Sequence, residues 1–402
     1  MIQADVLIVG GGMAGQTLAA ALGGTGLAVV LVDRERPVET RALAYDGRTS
    51  AVAFGAMRAL DGIGLWSHLS DGAEPILEIR VSDRDSPLFL HYDHATLGND
   101  PLGFIVENTA IRRALGDHLA ALPTVQVIAP ASVAQLERGR GRATATLDDG
   151  RTITAPLAVA ADGRNSPMRR AAGINVAEWS YPQTGLVCTI AHEKPHRGVA
   201  HERFLPAGPL AILPMRGNRS SIVWTERADL APAMLALDDA SFAREIENRF
   251  GPHLGAMTLE GARWSYPLAF TLADRYVLPR LALLGDAARA IHPIAGQGFN
   301  LGLRDAAVLA EVVVDAARLG LDPGDMSVLE RYERWRRFDG LALAATTDVL
   351  NRLFSTAFPP VQMVRDLGLA MVNEIPQLKR FFMRDAMGTA GDLPRLVRGE
   401  VL

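Results

Sequence analysis

The chain has 402 residues, which is enough for two or three domains around a sizeable core. Hydrophobic residues make up 49% of it and charged residues 21%, a balance that is typical of folded globular proteins and excludes disordered and fibrous classes. The 41 basic residues nearly balance the 45 acidic ones, and a net charge of −4 gives no field that would attract nucleic acid.

A single cysteine, Cys188, limits the metal and redox chemistry of the chain. One cysteine excludes an internal disulfide, a thiolate zinc site and an iron–sulfur cluster, so we expect no metal site and a buried filler role for Cys188. The residues from Met1 to Asp5 lead into an apolar strand without an export signal, and no run of 18 apolar residues follows. These features predict a cytoplasmic chain that does not span a bilayer.

The first elements form a nucleotide-binding pattern. Val6–Val9 reads as a strand, Met13–Leu22 as a helix and Val29–Val32 as the next strand, and the intervening turn carries Gly10-x-Gly12-x-x-Gly15. In this motif the glycines allow the turn, the approach of a pyrophosphate and the packing of the helix on the strand. Asp33 ends the second strand, where its carboxylate can accept a hydrogen bond from a ribose hydroxyl. The pattern leaves FAD and NAD open, because both use the same cradle.

The middle of the chain carries a second such turn. A buried strand at Leu157–Ala161 ends in Asp162-Gly163, and Ser166 and Arg169 then open a helix, so the turn can face a phosphate. The alternative is an ordinary Asp-Gly turn before a capped helix. The same periodicity arguments predict helices at Thr49–Leu60 and Thr109–Leu122, a strand at Val125–Ile128, and a hairpin of Ala143–Leu147 with Thr152–Ala155.

The next segment changes to antiparallel character. Alternating patterns predict strands at Leu186–His192, Glu202–Leu205, Pro209–Met215 and Arg219–Glu226, followed by a helix at Ser241–Phe250. A last buried strand, Leu281–Leu284, ends at Gly285-Asp286, and a helix begins near Leu301.

The two turns and a third motif, taken in order, carry a family resemblance. The third motif runs Gly285-Asp286-Ala287-Ala288 to Pro293-x-x-Gly296-Gln297-Gly298-x-Asn300. Together they resemble the class A flavin monooxygenases of the p-hydroxybenzoate hydroxylase fold. The segment from His292 to Asp305 is similar to the signature of the ubiquinone-biosynthesis hydroxylases, as are Tyr332-x-x-x-Arg336 and Met387-Gly388-x-x-Gly391-x-Leu393-Pro394.

The resemblance implies an α/β fold in which a Rossmann-like FAD-binding domain is interleaved with a substrate domain on a mixed or antiparallel sheet. The expected FAD-binding parts are residues 1–75, 101–178 and 269–340, the substrate-domain parts are 76–100 and 179–268, and a C-terminal helical region covers 341–402.

The resemblance also implies where FAD binds. The FAD pyrophosphate is expected on the first turn, the adenosine ribose at Asp33, the flavin-side ribityl chain or pyrophosphate at Asp286, and the isoalloxazine against the turn from Pro293 to Asn300. Two arginines are expected along the cofactor. One departure is Arg289, where many relatives of the wider fold have histidine. The expected cofactor residues are Gly10, Gly12, Met13, Ala14, Gly15, Asp33, Arg34, Arg48, Arg112, Asp162, Gly163, Gly285, Asp286, Pro293, Gly296, Gln297, Gly298, Phe299 and Asn300.

The implied activity is ring hydroxylation of a polyprenylated phenol in ubiquinone biosynthesis. NAD(P)H visits transiently to reduce the flavin, and O₂ is carried as a C4a-hydroperoxide that transfers oxygen to the ring. His292 and Pro293 are the catalytic candidates, although His292 can equally serve to hold the loop. A hydroxylase of a soluble aromatic compound and a non-catalytic FAD-fold escort for lipid or protein are the alternatives. Four residues are expected to line the substrate pocket, and the alternative is that they are ordinary residues of the hydrophobic core. They are Phe204, Leu213, Pro214 and Trp224.

Beyond Leu341 the pattern is helical, with Phe381 and Phe382 beside Arg380 and Arg384. This pattern fits an amphipathic surface that receives a lipid tail or touches the inner face of a membrane, and it also fits a helix packed on its own domain. The resemblance further allows a protein complex of ubiquinone biosynthesis as a partner.

Overall fold

A computed structural model describes residues 1–36, 47–83, 89–290, 297–337 and 372–402. The strands in chain order are β1 (Ile2–Gln3), β2 (Val6–Val9), β3 (Val29–Val32), β4 (Thr49–Ala53), β5 (Glu74–Ile76), β6 (Glu78–Asp83), β7 (Phe89–Asp93), β8 (Gly103–Glu107), β9 (Val125–Ile128), β10 (Val133–Arg138), β11 (Ala143–Leu147), β12 (Thr152–Ala155), β13 (Leu157–Ala160), β14 (Val176–His192), β15 (Val199–Leu205), β16 (Gly208–Met215), β17 (Arg219–Arg227), β18 (Met257–Ala273), β19 (Val277–Leu278), β20 (Leu281–Leu283) and β21 (Arg289–Ala290). The α-helices are α1 (Met13–Gly23), α2 (Phe54–Gly62), α3 (Asn108–Ala121), α4 (Pro167–Ala171), α5 (Ala231–Leu235), α6 (Asp239–Phe250), α7 (Gln297–Arg318), α8 (residues 326–337), α9 (Pro376–Ala386) and α10 (Arg395–Arg398).

A six-stranded sheet forms the centre of the first layer, in the order β19-β20-β13-β2-β3-β9. All of its neighbouring strands are parallel except the β19–β20 pair. Strands β2, β3 and β13 are buried along their whole length, which explains why they read as continuous apolar runs rather than alternating ones. Because parallel strands end at one edge, the turns after β2, β13 and β20 come together there.

An eight-stranded sheet forms the second layer, in the order β21-β18-β14-β17-β16-β15-β6-β7. Its longest strands, β14 and β18, are antiparallel neighbours. One face packs against α6 in a core that contains Trp224, Phe242 and Cys188, and the Cys188 thiol is buried there as expected for a filler residue. Burial raises the pKa of this thiol to about 12, so it is an unreactive group.

The prediction of a helix at Thr49–Leu60 is wrong for the first part of this segment. Residues Thr49–Ala53 form strand β4, which pairs antiparallel with β8, and the helix begins only at Phe54. Tertiary pairing overrides the helical periodicity of this short segment, whose Thr49 and Val52 are β-branched. The pairing matters for the site, because β4 runs along the cleft. The helix expected from about Leu301 also begins earlier, at Gln297.

The C-terminal residues return to the second layer. Helix α9 buries Met383, and Met387 follows it into a core with Leu90 and Tyr92 of β7. Residues 338–371, which include the first half of the expected helical region, lie outside the described residues. Among the described residues, no helix combines the length and apolarity that crossing a bilayer requires. The expected α/β fold class is confirmed.

Candidate functional site

Three turns meet at the carboxyl edge of the six-stranded sheet. The amide of Gly10 donates to Val32 O at 2.8 Å, and the amide of Ala161 donates to Val9 O at 2.8 Å, so the first two turns leave neighbouring strands side by side. The amide of Leu284 donates to Ala160 O at 2.9 Å and brings the third turn to the same edge. The three motifs that are far apart in sequence therefore surround one cleft.

The glycines of the first turn have different reasons to be glycine. Gly10 has a φ of +112°, and a Cβ there would lie 2.3 Å from Ala161 O. A Cβ on Gly15 would lie 2.1 Å from Gly10 O, so this glycine lets α1 pack on the turn. A Cβ on Gly12 would meet nothing within 4 Å. Gly12 therefore faces open space at the start of α1, where no side chain caps the helix amides.

Asp33 lies against the same turn. A Cβ on Gly11 would fall 2.2 Å from Asp33 Oδ2, so the carboxylate occupies the space beside this residue. Burial raises the pKa of Asp33, while hydrogen bonds from backbone amides partly oppose the shift. Arg34, the next residue, is exposed. This arrangement keeps Asp33 at the strand end, as a ribose-binding carboxylate would require.

The second turn is built mainly for structure. Asp162 Oδ2 accepts from the amide of Met168 at 3.0 Å, and Ser166 Oγ accepts from the amide of Arg169 at 2.9 Å. The guanidinium of Arg169 is buried and donates to the carbonyl oxygens of Ala287 and Arg164, both at 2.8 Å. Arg169 therefore fastens the second turn to the third. The side chains of Ser166 and Arg169 both bind backbone groups, and the expectation that this turn faces a phosphate stays a prediction.

The third turn carries a carboxylate at the mouth of the cleft. Gly285 has a φ of +59°, and its amide donates to the buried Asp305 Oδ2 at 3.2 Å, which fixes the turn to α7. Asp286 is exposed towards the cleft, yet protein crowds its carboxylate, and this desolvation raises its pKa. The positive charges of Arg164 and Arg289 act in the opposite direction. Asp286 is thus oriented to accept hydrogen bonds from a ligand in the cleft.

A cavity of about 250 Å³ lies between this turn, β4 and the second sheet. Asp286, Gly298 and Phe299 line it, as expected for cofactor residues. Sequence reasoning missed Arg164 and Tyr266, which also line it. Burial raises the pKa of Tyr266, and the charge of Arg164 opposes the shift. Arg164 stands inside the Asp162-Gly163 motif and could have been found there, whereas nothing in the sequence marks Tyr266.

A second, apolar cavity of about 110 Å³ adjoins the first. Ala51, Leu213 and Val223 line both cavities, so the two share a wall. The remaining described lining is mostly small or aliphatic, and consists of Val52, Ala53, Ile76, Ile79, Leu102, Gly103, Ala200, His201, Glu202, Pro209, Ala211, Thr225, Asn300 and Ala386.

The side-chain amide of Asn300 forms hydrogen bonds with the backbone of strand β4. Its Oδ1 accepts from the amide of Ala53 at 3.0 Å, and its Nδ2 donates to Ala51 O at 2.8 Å. The family resemblance implies that the loop ending at Asn300 lies against the isoalloxazine, and this stays a prediction, while the side-chain amide of Asn300 fixes the strand that borders both cavities. Asn300 is a positioning residue for β4.

The remaining expected cofactor residues take varied positions. Ala14 packs against Gly285 and Gly302. A Cβ on Gly285 would lie 3.4 Å from the Ala14 Cβ, and a Cβ on Gly302 would lie 3.3 Å from it. Arg48 is exposed, with its guanidinium 5.9 Å from the Trp264 ring centroid, and Arg112 is half-buried on α3. Met13 and Gln297 begin α1 and α7, and Gly163 faces open space. His292, Pro293 and Gly296 lie outside the described residues.

The expected substrate-pocket residues separate into two groups. Leu213 lies on the wall shared by both cavities. Trp224 faces the opposite side of the sheet, where it contacts Phe242 and lies beneath Arg249, so its expected place in the pocket is wrong. Pro214 follows Leu213 in β16, where alternate side chains point to opposite faces, and is buried. Phe204 is also buried and is not among the described lining residues.

The described residues fit FAD. A Cβ on Gly12, Gly163 or Gly298 would meet nothing within 4 Å, so the backbone at each of these glycines is open to a close-lying ligand. Two buried side-chain oxygens, Gln16 Oε1 and Asp162 Oδ1, have no hydrogen-bond partner among the described residues, and a polar ligand would supply one.

The comparisons with known proteins agree with this geometry. The family model described as "FAD binding domain" matches residues 3–343. A ubiquinone hydroxylase, UbiL, of Rhodospirillum rubrum is 53% identical over 98% of this chain and 93% of its own length. The 3-demethoxyubiquinol 3-hydroxylase of Escherichia coli is 34% identical over 96% of this chain and 98% of its own. The crystal structure of the p-nitrophenol 4-monooxygenase PnpA of Pseudomonas putida superposes with a TM-score of 0.80 at 20% identity, covering 98% of this chain and 100% of that one.

Proposed function

The chain belongs to the FAD-binding domain family, and from this premise we propose that it hydroxylates the aromatic ring of a polyprenylated phenol in ubiquinone biosynthesis. It is an FAD-dependent monooxygenase that uses O₂, with NAD(P)H as a transient reductant. The names of its relatives support this assignment, and so does the shape of the cleft.

The first and third turns would hold the cofactor. The amides at the start of α1 and the open space above Gly12 suit the pyrophosphate, and Asp33 and Asp286 suit the hydroxyl groups on either side of it. When bound and reduced, FAD supplies the activation of O₂ and the transfer of one oxygen atom to the ring. Arg48, Arg112, His292 and Pro293 remain proposals as cofactor-binding or catalytic residues.

The observation that carries the substrate assignment is the wall shared by the two cavities. Ala51, Leu213 and Val223 line both the cavity that contains Arg164, Tyr266 and Asp286 and the apolar one, so the two cavities adjoin along these residues. A phenol ring bound in the first cavity would have its apolar tail continue directly into the second. A compact, soluble aromatic substrate would leave the second cavity without a ligand group.

The protein contributes orientation and the exclusion of water to this reaction. Strand β4 forms one side of both cavities, and the Asn300 amide holds its backbone in place. Arg164 and the first amides of α7 can stabilise negative charge in the polar cavity, because both are positive groups that face it. The apolar side chains of Leu213 and Val223 would limit the contact of the reacting ring with water.

We further propose that α9 contacts the inner face of a membrane as a peripheral surface. Phe381 and Phe382 are 59% and 38% exposed, and Lys379, Arg380 and Arg384 flank them. Ala386, at the end of the same helix, lines the apolar cavity. A helix with exposed aromatic and basic residues beside a tail cavity suits a substrate that is delivered from lipid.

The direct test is turnover. The purified protein should carry the absorbance of bound flavin, and its NADH or NADPH oxidation should increase with a prenylated phenol, whose product gains one oxygen atom by mass spectrometry. A phenol without the tail should bind at least roughly tenfold more weakly, because each buried methylene contributes about 0.8 kcal/mol. Equal KM values for tailed and untailed phenols, or oxidation without ring hydroxylation, would contradict the assignment.

A further inference from the structure

A large basic cavity lies on the other face of the second sheet. Its volume is about 710 Å³, and it is bounded by β6, β15 and the residues that follow α6. Along β15, Val199 and Arg203 line it, Ala200 and Glu202 line the apolar cavity, and His201 borders both. Phe250 and Leu254, which belong to the core on the α6 face of the sheet, also line the basic cavity, so the sheet lies between it and the cavity that contains Asp286. A ligand here would not contact the reacting ring.

The described lining of this cavity is basic. It contains Arg80, Lys194, His196, Arg197, His201, Arg203 and His253, and no acidic side chain. Glu78, next to Arg80 on β6, is engaged with Arg80 at 2.7 Å and with His91 at 2.9 Å. Lys194 is one of only two lysines in the chain. In a nearly neutral protein, such a concentration of one sign of charge in one concave space favours an anion.

Arg197 is held at the edge of this cavity at a conformational cost. Its φ is +56°, and Gly198 follows with +71°, a pair of positive values that turns usually fill with Asn and Gly. Among the described residues its guanidinium has no hydrogen-bond or ion-pair partner. An exposed, unpaired arginine in a backbone conformation that favours glycine is available to bind a ligand.

The pKa of His201 is lowered by burial as well as by the positive charges around the cavity. Burial, with the positive charges of Arg80 and His253, lowers the pKa of His201 to about 4, and Glu78 only partly opposes the shift. A bound anion would stabilise the protonated ring and raise this pKa.

We propose that this cavity binds a phosphate ester, and that the headgroup of an anionic phospholipid is its source. Phe89 on edge strand β7 lines the cavity and is 44% exposed. The amide of His91 on the same strand donates to Asn373 Oδ1 at 3.3 Å, just before α9. Helix α9, which carries the exposed Phe381 and Phe382, therefore begins close to the strand that also borders the basic cavity. The lipid source rests on the proposed function, but the phosphate site does not.

The test uses the full-length FAD-loaded protein and measures binding rather than turnover. The probes are soluble glycerol phosphate and vesicles of phosphatidylcholine with or without phosphatidylglycerol. The test variants are Lys194→Met and Arg197→Gly, alone and combined, and Arg142→Gln, an exposed arginine beside β11, is the control. Glycine suits the φ of residue 197, so this variant removes the cation without disturbing the turn.

We expect glycerol phosphate to raise the pH at which the His201 ring titrates by NMR, and phosphatidylglycerol vesicles to bind the protein. The double variant should bind these vesicles roughly tenfold or more weakly, whereas the control should bind them as wild type does. Binding of glycerol phosphate without cavity-dependent binding of vesicles would overturn the lipid source. No response of His201 to glycerol phosphate would overturn the site. Turnover of a prenylated phenol in detergent tests the proposed function separately.

Discussion

Arg289 donates a hydrogen bond to Asp305 at 2.7 Å in the interior, where both side chains are at most 1% exposed. Arg336 donates to the same carboxylate oxygen at 2.7 Å, and the amide of Gly285 donates to the other oxygen. Asp305 therefore connects α7, α8 and the third turn of the cleft. Both of its guanidinium partners are buried, and the carboxylate of Asp305 offsets their positive charges.

The first prediction concerns this network. Asp305→Asn removes the negative charge to which both Arg289 and Arg336 donate, so the free energy of unfolding should fall by about 3–5 kcal/mol. Urea unfolding of the apoprotein measures this loss. Asp229→Asn breaks the exposed Arg227–Asp229 pair and serves as the control, with little change expected. Equal midpoints for the two variants would show that the network does not stabilise the fold.

The second prediction separates the two functions of the first turn. Gly12→Ala adds a methyl group in open space, so stability should stay within about 0.5 kcal/mol of wild type while the Kd for FAD increases roughly tenfold or more. Gly15→Ala places its methyl group against Gly10 O and should lower stability by about 1–3 kcal/mol. Flavin fluorescence titration and urea unfolding measure the two effects. FAD binding by Gly12→Ala with the wild-type Kd would refute the pyrophosphate assignment.

The third prediction concerns the amide of Asn300. Asn300→Asp keeps the acceptor for Ala53 but replaces the donor to Ala51 O by a second oxygen, so stability should fall by about 1–3 kcal/mol. Strand β4 should then move, and KM for the prenylated phenol should increase. The exposed Asn99→Asp is the control and should leave both quantities unchanged. A stable variant with the wild-type KM would exclude the positioning role.

The fourth prediction tests the tail cavity. Ala211→Phe fills space in the apolar cavity, so turnover of long-tailed phenols should decrease by roughly tenfold or more while turnover of a short-tailed phenol is retained. Ile212→Val changes the neighbouring residue on the opposite face and should lower stability by about 0.5–1.5 kcal/mol without any dependence on tail length. Steady-state kinetics across a tail-length series distinguishes these outcomes. Equal loss for all lengths in Ala211→Phe would place the tail elsewhere.

The fifth prediction is a pH dependence of stability. The pKa of His201 is about 4 in the fold against 6.5 in the unfolded chain, so the unfolded state takes up the proton first as the pH falls. The stabilisation is fully present above pH 6.5 and is lost as the pH falls towards 4, by at most about 3 kcal/mol. His201→Gln should reduce this slope, whereas the exposed His68→Gln should retain it. Urea midpoints across this range measure both, and a wild-type slope in His201→Gln would refute the prediction.

The nucleotide-binding part of the fold could be predicted because its signals are local. Strands β2, β3 and β13 are continuous apolar runs, and the turns that follow them carry glycine and aspartate at motif spacing. These signals predicted the first turn with Gly12 and the place of Asp33, whereas the convergence of the three turns and the role of Asp286 were implied by the family resemblance.

The remaining features depend on contacts that no local pattern records. Strand β4 is a strand only because β8 pairs with it, so its residues read as helix. Trp224 and Leu213 both lie in alternating strands, and the face that each occupies depends on which side α6 covers. Asn300 holds strand β4 and Arg169 holds the third turn through hydrogen bonds to backbone groups that are far away in sequence. The residue types alone do not predict these contacts.

Ala51, Leu213 and Val223 line both cavities, whereas each cavity also has lining residues of its own. Under the proposed function, the ring would contact the groups of the first cavity, and the accepted tail length would depend on the volume of the second. Substitutions at Ala200 or Ala211, which line the second cavity, would then change the accepted tail length without altering the groups that surround the ring.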